Sequence, residues 1–146
     1  GQFNGPLGLS LHQSLTGGAT LLFVGDNGNN RVQVFNAITG TYIREIGTGG
    51  GTHPGQFNSI YGLCVQPANT KSNGMLYVAD FSNHRIQKFD AVTGELVRIY
   101  GTGVGNQLEN LCFPSDVCVH TRADGASVLY VDEQNNSRVQ VFVINE

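Results

Sequence analysis

VADFSNHRIQKF (78–89) is one of three versions of a single phrase, the others being VGDNGNNRVQVF (24–35) and VDEQNNSRVQVF (131–142). Asp26 and Asp80 lie 54 residues apart, as do Arg31 and Arg85, and Arg138 follows Arg85 by 53. A period of that length marks a repeat architecture, in which each unit covers its apolar face with the next. The upstream halves repeat as well: GQFNGPLGLSL (1–11), GQFNSIYGLCV (55–65) and FPSDVCV (113–119) precede LLFVGD (21–26), MLYVAD (75–80) and VLYVDE (128–133). Downstream, FNAITGTYIREIGTGG (35–50) matches FDAVTGELVRIYGTGV (89–104).

Each repeat therefore holds four short apolar segments bounded by Gly, Asn, Asp and Thr, the signature of strands. In RVQVF (31–35), RIQKF (85–89) and RVQVF (138–142) the apolar residues alternate around a constant Gln, which reads as a strand with one covered face. The first segments, GLSL, GLCV and DVCV, read as strands covered on both faces. Thr39-Gly40 and Thr93-Gly94 supply the positive φ of a tight hairpin between the third and fourth strands. No window of ten residues shows an apolar period of 3.6, so little helix is expected.

Between the second and third strands, Asp26, Asp80 and Glu133 end one strand and Arg31, Arg85 and Arg138 open the next. A bidentate pair across each turn is expected, with Asn29, Asn83 and Asn136 in the turn conformation that Asn tolerates. An anion or metal site is the other reading of these residues; three equivalent copies favour scaffold.

The phrase VADFSNHRIQKF, with its F-x-x-x-x-G-L header, a following D-x-x-T-G and a G-T-G stretch, resembles the NHL repeat, with Asn83-His84-Arg85 closest to the signature. Copies one and three depart from it as Asn29-Asn30-Arg31 and Asn136-Ser137-Arg138. The resemblance implies an all-β chain of four-stranded antiparallel β-propeller blades. It divides a single domain into repeats of about 1–54, 55–108 and 109–146, the last truncated after its third strand. Eleven strands are expected, as two full blades plus a three-stranded third in an incomplete ring. Starting at Gly1 on a repeat header, the chain reads as a piece of a longer polypeptide, or as half of a six-bladed ring completed by a homodimer.

Where repeated residues are scaffold, function belongs to positions that differ between repeats. In a propeller the turns joining strands two and three and the blade connections (47–58, 101–113) share one face. The candidate binding residues there are His53, Phe81, Ser82, His84, Glu109 and Gln134, a set suited to a protein or peptide partner. The resemblance implies a non-catalytic interaction module. Its alternatives are a propeller enzyme of the peptidyl-amidoglycolate lyase or hydrolase type, and an RNA-binding propeller. Eight Lys and Arg against eleven Asp and Glu, a net charge of −3, speak against a phosphate-binding surface. At the positions matching the lyase family's zinc ligands stand Leu7, Tyr61 and Ser115, while His12 and His120 are not from adjacent repeats. No nucleophile motif, metal set or cofactor motif is present; the Gly-rich stretches at 47–52 and 101–105 precede no helix. No apolar span of membrane length occurs. Cys64, Cys112 and Cys118 are read as free thiols, Cys64 and Cys118 as small core residues, consistent with a reducing, cytoplasmic compartment.

Overall fold

A computed structural model describes residues 2–15, 17–69 and 72–144. The described residues form eleven strands: β1 (Pro6–His12), β2 (Leu21–Asp26), β3 (Arg31–Asn36), β4 (Tyr42–Ile46), β5 (Ile60–Gln66), β6 (Met75–Asp80), β7 (Arg85–Asp90), β8 (Leu96–Tyr100), β9 (Pro114–Thr121), β10 (Ser127–Glu133) and β11 (Arg138–Ile144). They make three antiparallel sheets, β1-β2-β3-β4, β5-β6-β7-β8 and β9-β10-β11. Strand number and blade composition are those the repeats predict. Among the described residues helix is confined to two three-residue 3-10 turns, Asn27–Asn29 and Phe81–Asn83. Gly40 and Gly94 sit at φ of 71° and 79° in the outer hairpins, as their turns require.

The blades stack face to face, with β5 between β1 and β9. One core lies between blades one and two, where Phe23, Val32, Val34 and Ile46 meet Phe57, Ile60, Leu63 and Phe89. A second lies between blades two and three, where Tyr77, Ile86 and Tyr100 meet Leu111, Val117, Leu129 and Ile144. A two-stranded hairpin alone is marginal in water, so packing between neighbours is what makes each blade stable.

Four expectations are corrected. Of the three first strands β1, β5 and β9, only β5 is covered on both faces: Leu7, Leu9 and Leu11 of β1 are 43%, 68% and 62% exposed, and Cys118 of β9 is exposed, because blades one and three each have a neighbour on one side only. The constant Gln does not face solvent. Gln33, Gln87 and Gln140 are buried because each amide donates to the carboxylate of its own corner, at 2.9, 3.0 and 2.8 Å. The positive φ of the turn falls one residue later than the Asn, on Asn30, His84 and Ser137, at 51°, 55° and 48°. The Arg is not bidentate on the carboxylate: only Nε reaches it, at 3.0, 2.7 and 2.6 Å in the three blades.

Arg31 turns the rest of its guanidinium to Glu45 and the Gln2 carbonyl, whereas in blades two and three that part ties down the connection from the preceding blade. Arg85 donates to the Thr52, His53 and Gln56 carbonyls, and Arg138 to those of Asn106, Gln107 and Asn110. Asp80, fully buried, accepts from the Asn58 amide, the Asn83 side chain, Arg85 and Gln87. Burial pushes the Asp26 and Glu133 carboxyls up, but four such donors on each outweigh it and hold both below the usual carboxylate range. The repeated phrase is thus a corner bracket that joins one hairpin to the connection before it.

Candidate functional site

The brackets draw the 3-10 turns and the blade connections onto one face. There the Phe81 and Ser82 amides donate to the Ser59 and Asn58 carbonyls, and the Gln134 amide to that of Phe113. At the junction of blades two and three this face carries a run of four rings. Tyr61, from β5, stacks on Phe81 with centroids 4.1 Å apart and planes 14° from parallel. Phe81 leans on Phe113 at 4.9 Å, and His84 meets Phe113 edge-on at 4.3 Å. All four are half-buried, so each presents part of its ring to solvent.

Comparison of the two junctions separates scaffold from surplus. At the first, Asn30 Oδ1 accepts the Ser59 amide and the Asn27 side chain donates to the Ile60 carbonyl. At the second, His84 Nδ1 accepts the Phe113 amide at 3.1 Å and Phe81 replaces Asn27. The backbone is therefore served by a single acceptor in either case. The aromatic surface at 61, 81 and 113 has counterparts Leu7, Asn27 and Ser59 and is not demanded by the junction.

Of the residues anticipated from sequence, Phe81 and His84 belong to this cluster, and Gln134 adjoins it through the Phe113 carbonyl. Ser82 is held by its backbone against Asn58. His53 and Glu109 stand apart in other roles: the His53 carbonyl accepts Arg85, and the Glu109 amide, at φ 69°, donates to Gln140. Tyr61 and Phe113 were not anticipated as binding residues. The signal that selects Phe81, a position that changes between repeats, is present at both.

Burial lowers the pKa of His84, with the Asp80 charge pulling the other way. A neutral ring with Nδ1 accepting carries its proton on Nε2. The folded pKa lies below the unfolded value of about 6.5, so the anchoring of Phe113 is fully present above that value. It is lost as pH falls toward the folded pKa, when the released ring takes the proton first. The amide resonance of Phe113 is expected to hold steady above about pH 6.5 and to shift as the pH falls below it. His84→Asn, which restores the acceptor found at Asn30, is expected to abolish the shift; persistence in that variant would assign the titration elsewhere.

Other chemistry is sparse. His12 is buried and burial lowers its pKa, whereas His120 is exposed. No three His, Cys, Asp or Glu side chains come together among the described residues. The Cys64 thiol is pushed up to about 12 by burial, with nearby Cys118 and Asp116 adding to it, which makes it a poor nucleophile. Cys112 and Cys118 are also free thiols. Among the described residues no helix is long and apolar enough to cross a membrane.

The family profile that matches is the NHL repeat, over residues 70–89, covering β6, its turn and most of β7. NHL repeat-containing protein 2 of Homo sapiens is 31% identical over 79 residues. That match takes in 49% of this chain and 10% of the human protein, so the chain spans about a tenth of that relative. Hydrazine synthase of Kuenenia stuttgartiensis superposes with a TM-score of 0.51 at 19% identity, over 94% of this chain and 37% of that one. U3-55K does so with a TM-score of 0.51 at 11% identity, over 91% and 36%. At such identities the likeness is one of fold.

Proposed function

We propose that this chain, an NHL-repeat protein built of propeller blades, is a non-catalytic interaction module that binds a protein or peptide through the Tyr61–Phe81–Phe113–His84 surface. The observation that carries the reading is the surplus of half-exposed rings at a junction whose counterpart is completed by Asn27, Asn30 and Ser59. Rigid aromatic side chains give large contact area at low entropic cost and dominate the centres of protein interfaces. The setting is acidic rather than basic. Asp116 packs against Gly62, next to Tyr61. That charge favours a peptide with apolar anchors over a phosphate backbone.

Peptides selected from a displayed library against the intact chain test the reading. Phe81→Asn installs the residue that the first blade already tolerates, so thermal stability should change little. Affinity is expected to fall by about tenfold or more, a hot-spot loss of about 1.4 kcal/mol or greater. Selected peptides that bind the variant as tightly as the parent would place recognition elsewhere.

A second copy of the chain is the other partner to weigh. Completing a ring would set the outer face of blade three against the outer face of blade one. Asp116 and Asp132 occupy the positions of Gly62 and Ala79, which are buried at the inner junction. A monomer is therefore the expected state of the unmodified chain at neutral pH.

A further inference from the structure

The aromatic surface at the junction of blades two and three is one-sided in its hydrogen bonding. Its bordering carbonyls are engaged: those of Asn58 and Ser59 accept the Ser82 and Phe81 amides, that of Phe81 accepts the His84 amide, and that of Phe113 accepts the Gln134 amide. What remains are donors. With Nδ1 accepting the Phe113 amide, His84 holds its proton on Nε2, and neither that N–H nor the Tyr61 hydroxyl meets a hydrogen-bond partner among the described residues. The rings hold one another in place, Phe81 touching both Tyr61 and Phe113, and Phe113 touching His84, in centroid steps of 4.1, 4.9 and 4.3 Å. Four residues of a polyproline II helix, rising about 3.1 Å each, cover such a run. The Asp116 carboxylate, packed against Gly62, sets a negative charge at the Tyr61 end.

We propose that the partner segment bound here is proline-rich, held as a polyproline II helix with a basic residue flanking the prolines, a proposal that rests on this surface being the binding site. A docked segment loses water from its own N–H groups, and a surface whose carbonyls are engaged leaves those groups unpaired. Proline has a carbonyl and no N–H, so it escapes that penalty. The polyproline II helix makes no internal hydrogen bonds, which leaves its carbonyls free to accept from His84 Nε2–H and the Tyr61 hydroxyl. Its backbone is ordered before it binds, and aromatic-lined surfaces are where such segments dock. The flanking base is the counterpart of Asp116.

The test is a fluorescent octaproline carrying an arginine at each end, titrated with the intact chain and read by anisotropy, beside the same peptide with alanine in place of every proline. Saturable binding of the proline peptide is expected, at least about tenfold tighter than that of the alanine peptide. Tyr61→Phe keeps the ring and removes a hydroxyl that bonds to no described residue, so stability should hold while the proline peptide binds several-fold more weakly. Equal binding of the two peptides, or indifference of the proline peptide to Tyr61→Phe, would overturn the proposal. The displayed-library peptides separate it from the reading beneath it. Selected peptides that lose affinity on Phe81→Asn but hold no proline-rich segment would overturn the proline assignment and leave the aromatic surface as the binding site. Proline-rich peptides that bind Phe81→Asn as tightly as the parent would overturn both.

Discussion

Asp80→Ala is expected to destabilise the chain by about 3–5 kcal/mol, a large share of the about 5–15 kcal/mol that holds a typical domain folded. The carboxylate is fully buried and accepts from the Asn58 amide, Asn83, Arg85 and Gln87. Its removal leaves the Gln87 and Arg85 donors, and the Arg85 charge, without their acceptor in the bracket. The loss spreads because Arg85 also holds the Thr52, His53 and Gln56 carbonyls, and with them the connection on which Phe57 is wedged between blades. Asp90→Ala is the control: Asp90 caps the Val92 and Thr93 amides of an exposed turn, and its removal should cost only about 1 kcal/mol. Urea midpoints of the two variants decide the matter. A loss at Asp80 no larger than that at Asp90 would mean the brackets do not hold the connections in place.

The repeat that makes this bracket is also what made the fold readable. Strand number, blade order, the outer hairpin glycines and the pairing of Asp with Arg follow from a phrase recurring at constant offset, because each copy must solve the same packing problem. What escaped the sequence depends on what lies across the sheet. Gln87 looks like a solvent-facing residue in RIQKF, and becomes a buried donor only because Asp80 lies seven residues back on the neighbouring strand. The αL position moved from Asn83 to His84 because the Asn side chain is occupied by the carboxylate and by the Gly51 carbonyl. Leu9 and Leu63 are equivalent in sequence yet 68% and 5% exposed, since only the second has a blade in front of it. Tyr61 and Phe113 are far from Phe81 along the chain, and their meeting is set by the αL corner at His84 and the connection it anchors. Variation between repeats pointed to Phe81 and His84; only the stacking of blades shows which variable residues share a surface.

The variation between repeats also predicts how copies of this chain associate. At the inner junctions the faces that look toward the next blade carry small residues where the backbones come close. A Cβ on Gly25 would lie 3.0 Å from the Ile60 Cγ2 of blade two, and one on Gly62 would lie 2.7 Å from the Asp116 Cα of blade three. The corresponding positions of blade three are Asp132 and Asp116, so the face that would meet a second copy's Leu7 and Leu9 presents two carboxylates. Removing such charges from water costs several kcal/mol each when no cation receives them, which outweighs the apolar gain from Val139 and Val141 beside them. Restoring the residues of blade two, as Asp116→Gly with Asp132→Ala, removes that barrier and leaves complementary apolar faces. The double variant is expected to associate at least about 100-fold more tightly than the parent, a difference of about 2.7 kcal/mol. Light scattering over a tenfold concentration range reads the change directly, and adding Leu9→Glu to the double variant should reverse it. Equal association of parent and double variant would show that the carboxylates do not control this face, and a tight dimer of the parent would show that the ring closes in spite of them.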